Sequence, residues 1–215
     1  MMIFAYADLS PALHGETDRK TIAGVQHVEA YRLLADLYRI VYQKDLPALR
    51  RTEGGKPYLC GRDVPFFSVS HEGCVVGVFL SSSHEAGLDI NRTTRAANER
   101  ACRRFLGAMR ESDRLSPEDV TFYRAAYREG RRYVPTPFSP VFSEEEGAAT
   151  RFSRAEACLK LSGGGFADLS RLAEISAHAQ VLSFFLPPPL SSYTGSLAVD
   201  PTAKTPAGSS RVTDL

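Results

Sequence analysis

PFFSVSHEGCVVGVFLSSSHEAGLDIN, residues 65 to 91, is the stretch from which the fold is read. Two apolar runs, PFFSVS (65 to 70) and VVGVFL (75 to 80), flank HEGC, and the pattern predicts a β-hairpin or two neighbouring strands. AGLDIN, 86 to 91, predicts a third strand. Asp89 and Asn91 lie two apart in it, so both side chains leave the same face of the sheet.

Working outward, MIFAYADL at 2 to 9 is short, apolar and aromatic and predicts a buried strand. From Thr21 to Gln43 the residues Val28, Leu33, Leu34, Leu37, Ile40 and Val41 recur mostly at steps of three and four, which predicts a helix with Arg32 and Arg39 among its apolar positions. Downstream, helices are predicted over 94 to 106, 117 to 128 and 153 to 161. Strands follow at QVLSFFL (180 to 186) and YTGSLAV (193 to 199), separated by Pro187, Pro188 and Pro189. Helix then strands, twice over, predicts an α+β fold of two similar halves, 1 to 87 and 88 to 200. Residues 133 to 150, with Pro135, Pro137, Pro140 and the run Glu144 to Glu146, read as a mobile loop. The tail, 201 to 215, has little to bury and reads as disordered.

Composition narrows the function classes. With 26 basic and 25 acidic residues among 215, the net charge of +1 gives no global field for nucleic acid or an anionic membrane. Cys60, Cys74, Cys102 and Cys158 form no CxxC pair, so neither a zinc knuckle nor a redox dithiol is indicated, and a reduced, cytoplasmic protein fits. No stretch of 18 apolar residues and no secretory leader pattern is present, so the chain reads as soluble and unprocessed.

Several short patterns carry chemistry, each with a plainer alternative. Asp89 and Asn91 offer hard oxygens suited to Mg²⁺, or simply end a strand. FSRAEACLK, 152 to 160, places Ser153 as a helix N-cap with Glu156 three residues on, a capping box, and Lys160 one turn further. The same spacing presents a metal ligand and a phosphate-neutralising cation to one pyrophosphate. Ser70 and His71, at a strand end, suit a phosphate or a structural role. Lys56, in GGKPYL between Gly55 and Pro57, is a cation pinned near a sheet edge or a solvated loop lysine.

Taken in order, GGKPYL, PFFSVSHEG, AGLDIN and FSRAEACLK resemble the motif series of the Sfp-type 4′-phosphopantetheinyl transferases. That series is GKP, an aromatic-N-aliphatic-SHS segment, a G-aliphatic-D-I-E strand and a helix of the W-S-x-K-E-A-x-x-K kind. The resemblance spans residues 51 to 165, and Gly163 to Gly165 resemble the glycines after the family's helix. Asn91 stands for the family's second acidic residue, Ala155 for the lysine beside the catalytic glutamate, and Phe152 for tryptophan. The interval from Asp89 to Glu156 is longer than the family's, which the stretch 133 to 150 accounts for. The resemblance implies two pseudo-symmetric α+β halves, each a mostly antiparallel sheet with a long helix, and coenzyme A in the cleft between them. It implies transfer of phosphopantetheine from coenzyme A to a serine of an apo carrier protein, with release of 3′,5′-ADP. Asp89, Glu156 and Asn91 or a water would hold Mg²⁺; Lys56, Ser70, His71, Lys160 and Arg32 would meet phosphates, and Glu156 would act as or orient the base. A monomer is expected, because both halves lie in one chain. Arg95, Arg100, Arg103 and Arg104 are expected to meet the acidic carrier. Two rival readings are another Mg²⁺-dependent pyrophosphate-cleaving enzyme and a non-catalytic relative that binds coenzyme A or the carrier.

Overall fold

The computed structural model describes residues 1–93, 109, 112–126, 132–141 and 147–202. Strand β1 (Met2–Asp8) shows why a layered fold forms: Ile3, Ala5 and Ala7 face one side, Phe4 and Tyr6 the other, and all are buried. A strand apolar on both faces must be covered on both. After it come α1 (Arg19–Tyr42), the small antiparallel ribbon of β2 (Leu49–Arg51) and β3 (Pro57–Leu59), then β4 (Phe66–Glu72), β5 (Val75–Ser81) and β6 (Glu85–Arg92). The later elements are β7 (Asp113–Arg114), β8 (Val120–Ala126), β9 (Arg132–Pro135), β10 (Ser139–Pro140), α2 (Ala148–Ser162), α3 (Leu172–His178), β11 (Gln180–Phe185) and β12 (Tyr193–Asp200).

One sheet runs β4-β5-β1-β8-β9 and the other β10-β11-β12-β6, with β7 beside β11. Pairing is antiparallel except for β1 with β8 and β11 with β7. The sheets pack on each other through Phe4, Phe79 and Phe122 from the first and Leu88, Phe184 and Leu197 from the second. Phe184 lies 4.9 Å from Phe4 and 5.1 Å from Phe122, ring centre to ring centre, at angles that favour aromatic pairs. On the outer side of the first sheet, α1 buries Leu33, Leu34 and Leu37, each worth about 1.5–3 kcal/mol of apolar transfer. On the outer side of the second, α2 and α3 bury Ala155, Ala157, Leu161 and Leu172 against Val181 and Ala198. The architecture is α+β, with a helical layer outside each sheet.

Three sequence expectations need correction. Over 117 to 128, where a helix is predicted, a short 3₁₀ turn at Pro117–Asp119 leads into strand β8. There Val120, Phe122 and Ala125 are buried, and β1 supplies a parallel ladder that the local sequence cannot announce. Within 133 to 150, read as a loop, lie β9 and β10; their prolines, Pro135 and Pro140, stand at strand ends at the sheet margins, where a missing N–H is tolerated. Helix α2 starts at Ala148 behind Gly147, five residues before Ser153, so Ser153 is interior and buried and caps nothing. The predicted helix over 94 to 106 with Arg95, Arg100, Arg103 and Arg104, the run Glu144 to Glu146, and the tail beyond 202 lie outside the described residues. Strands β8 and β9 come from the later half of the chain yet complete the first sheet, and the division at 87/88 falls inside β6. No described helix is long and apolar enough to cross a membrane.

Candidate functional site

The site forms where the two sheets meet edge to edge. Strand β4 ends the first sheet and β6 ends the second, so each brings a row of backbone groups with no strand beyond it. Two hydroxyls from β4 take that role: the amides of Leu88 and Ile90 donate to Ser68 Oγ at 3.0 Å and Ser70 Oγ at 3.1 Å. Ser68 and Ser70 are two apart in a strand and therefore point the same way.

On β6, period-two alternation turns Ala86, Leu88 and Ile90 into the inter-sheet core. Glu85, Gly87, Asp89 and Asn91 are left on the face under α2. The helix comes close because residue 87 is glycine: a Cβ there would lie 2.0 Å from the Ala157 carbonyl oxygen and 2.8 Å from the Leu161 nitrogen. Ser153 Oγ donates to the Asp89 carbonyl oxygen at 3.0 Å, so it pins the helix to the strand.

Side chains on a helix lean toward its N-terminus, and Lys160 accordingly reaches back over β6. Its ammonium lies 2.8 Å from Asp89 Oδ1 and 3.1 Å from Ser70 Oγ. Ser70 Oγ also donates to Asp89 Oδ1 at 3.2 Å, and Asn91 Nδ2 donates to Asp89 Oδ2 at 2.8 Å. Asp89 is 3% exposed; its buried charge is matched by one cation and two neutral donors, as burial of a carboxylate requires. The Lys160 side chain is 33% exposed, so the pair opens to solvent on the lysine side. Glu156 lies one turn before Lys160 on the same helical face, partly buried. His71, next to Ser70, is held below the usual histidine range, first by desolvation and then by the charges of Lys160 and of His27 on α1.

Of the residues singled out in the sequence, Ser70, Asp89, Asn91 and Lys160 therefore converge, with His71 beside them. Lys56 does not join them. It sits at the start of β6, where its ammonium contacts Glu85 Oε1, the Ala86 carbonyl at 3.0 Å and the Leu161 carbonyl at 2.9 Å. Burial is the first influence on this lysine and pulls its pKa down; Glu85 pushes it back up. Arg32 is on the exposed side of α1, paired with Glu29 at 2.6 Å. Glu85 and Ser68 were not singled out in the sequence, although both follow from period two: Glu85 shares the face of Asp89, and Ser68 that of Ser70.

Among the described residues no group of three or more His, Cys, Asp or Glu side chains is placed to hold a metal ion. Asp89, Asn91 and Glu156 offer two carboxylates and one amide, an all-oxygen set whose chemistry fits Mg²⁺. Lys160 supplies the positive charge at Asp89, and Asn91 turns its NH₂ toward the carboxylate. Asp89, Asn91 and Glu156 are the residues that would hold such an ion, and it would supply positive charge where Lys160 now does. Around Glu85, four residues along β6 from Asp89, a cleft of about 720 Å³ is lined by residues including Gly54, Lys56, Tyr58, Phe67 and Gly163; Ser70, Asp89, Asn91, Glu156 and Lys160 do not line it.

No protein-family model matches the chain. A stretch of 66 residues is 39% identical to the uncharacterized protein YieE of Escherichia coli, with the same figures in two strains. The match covers 29% of this chain and 26% of YieE, so the chain spans about a quarter of that relative.

Proposed function

We propose that the protein is a 4′-phosphopantetheinyl transferase that moves phosphopantetheine from coenzyme A to a serine of an apo carrier protein and releases 3′,5′-ADP. The observation that carries this reading is the convergence of Ser70, Asp89, Asn91 and Lys160, drawn from two strands and a helix across 19 to 90 residues of sequence. Ser70, Asp89 and Lys160 belong to three of the four motifs of the resemblance, and no local rule of helix or strand formation brings them together. The neighbouring cleft falls within the roughly 300–1,000 Å³ usual for small-molecule sites.

In this reading Asp89, Asn91 and Glu156 hold Mg²⁺, which when bound neutralises charge on the pyrophosphate. Lys160, already one-third exposed, leaves Asp89 and meets a phosphate oxygen. His71 stands beside it as a second phosphate donor. Glu156 accepts or orients the proton of the carrier serine. Catalysis by such a group is mainly positioning and charge neutralisation, as in other phosphoryl transfers. The protein acts as a cytoplasmic monomer.

A second reading, a non-catalytic binder of coenzyme A or carrier, is favoured by Asn91 and Ala155, which stand where the motif series has an acidic residue and a lysine. Incubation with coenzyme A, Mg²⁺ and a panel of apo carrier proteins, followed by intact-mass analysis, separates the two. Transfer abolished by Asp89→Ala supports the enzyme, and coenzyme A binding with no mass change in any carrier supports the binder.

A further inference from the structure

An ammonium group has three donors, and those of Lys56 have three partners inside the protein: the Glu85 carboxylate, the Ala86 carbonyl on β6 and the Leu161 carbonyl. The Leu161 carbonyl is one of the last in α2, where helix carbonyls lack intrahelical partners and attract a cation. The Lys56 side chain is 13% exposed, against 33% for Lys160. The loop that carries it is fitted to the end of the same helix. A Cβ on Gly54 would lie 2.3 Å from the Gly163 carbonyl oxygen, so GGK docks directly on the glycine turn that ends α2. Besides the Lys160–Asp89 pair, helix α2 thus meets β6 through Ser153 on the Asp89 carbonyl, the bare backbone of Gly87, and the Lys56 tie at Leu161. Lys160 is one residue before the tied carbonyl.

We propose that Lys56 is a positioning residue: it fastens the C-terminal turn of α2 to β6 and so holds Lys160 over Asp89, and it is not a phosphate ligand. This departs from the role the motif resemblance gives it, and the part concerning phosphate rests on the proposed function. The close approach accounts for Gly54, whose Cβ would strike the Gly163 carbonyl, while Gly55 and Gly163 turn the chain with positive φ on either side of it.

Hydrogen exchange and coenzyme A binding on the wild type, Lys56→Met, Lys160→Met and the double variant Lys56→Met/Glu85→Met test it. Loss of charged hydrogen bonds should speed exchange over residues 157–163 by roughly tenfold or more in Lys56→Met. The double variant, which leaves no buried carboxylate behind, should regain global stability yet still exchange faster than the wild type over 157–163, because the Leu161 carbonyl has lost its donor. Titration of coenzyme A across salt concentrations should show a flattened salt dependence for Lys160→Met, which loses a phosphate contact, and an unflattened one for Lys56→Met. Unchanged exchange in Lys56→Met, or a salt dependence flattened as much as in Lys160→Met, overturns the proposal. Should Lys56→Met fail to fold, the folded double variant decides: exchange over 157–163 faster than in the wild type, with the salt dependence retained, supports the tie, and exchange as protected as in the wild type or a flattened salt dependence refutes it. Absence of coenzyme A binding by the wild type refutes the proposed function alone, and the exchange measurements still decide the tie.

Discussion

Removing the Lys160 ammonium while keeping its stem, as in Lys160→Met, leaves Asp89 buried with only Ser70 and Asn91 as partners. Removing one member of a fully buried pair costs about 3–5 kcal/mol. An exposed pair is worth about 0–1 kcal/mol. Here the carboxylate side chain is 4% exposed and the lysine 33%, so water reaches the vacated side and the expected loss is intermediate, about 2 kcal/mol. Asp89→Asn makes the complementary deletion, and the double variant removes both charges. Urea unfolding of the four proteins at neutral pH should therefore give a coupling energy of about 1–2 kcal/mol, with the double variant less destabilised than the sum of the singles. Strictly additive losses, or a change under about 0.5 kcal/mol for Lys160→Met, would show that the pair does not exist in solution, and the electrostatic account of the site would fall with it.

Three further outcomes follow from the same geometry. Gly87→Ala drives a Cβ into the Ala157 carbonyl at 2.0 Å and should cost about 3 kcal/mol or more in urea unfolding, because two backbones must part. Ser68→Ala leaves the buried Leu88 amide without its acceptor and should cost about 1–3 kcal/mol without touching the Asp89 network. His71, held below 6.5 in the folded state, binds its proton more readily when unfolded. Stability therefore rises with pH across the window below 6.5 and is lost as pH falls through the depressed value; His71→Gln should flatten that slope in thermal melts recorded across the window.

The parts of this fold that were legible in the sequence are those whose signal is local. Strand β1, the β4–β5 hairpin, β6, β11 and β12 are short apolar runs between turn residues, and α1 shows its apolar face in Leu33, Leu34 and Leu37, although Val28 and Ile40, read onto the same face, are exposed. Strand β8 was not legible as a strand, since the string ending in YRAA suits a helix and only the parallel ladder with β1 decides otherwise. Ser153 carries the S-x-x-E mark of a helix start, but the alanine-rich turn before it, Ala148 and Ala149, extends the helix upstream and turns the serine into an internal contact with β6. For the site, period two placed Asp89 and Asn91 on one face correctly. What sequence could not show is that Lys160 would bridge 71 residues to Asp89. Nor could it show that Lys56, in an apparently solvated turn, would be buried by the end of α2. Those facts depend on how closely α2 can lie on Gly87, which is a property of packing.

Intact-mass analysis of apo carrier proteins incubated with coenzyme A, Mg²⁺ and either the wild type or Glu156→Gln bears most directly on the central claim. The account predicts that the wild type adds phosphopantetheine to at least one carrier and releases 3′,5′-ADP. Glu156→Gln, keeping the side chain's shape without its charge, should do so slower by orders of magnitude while melting within about 1 kcal/mol of the wild type. Transfer by Glu156→Gln at the wild-type rate, or hydrolysis of coenzyme A's pyrophosphate with no carrier modified, would contradict it.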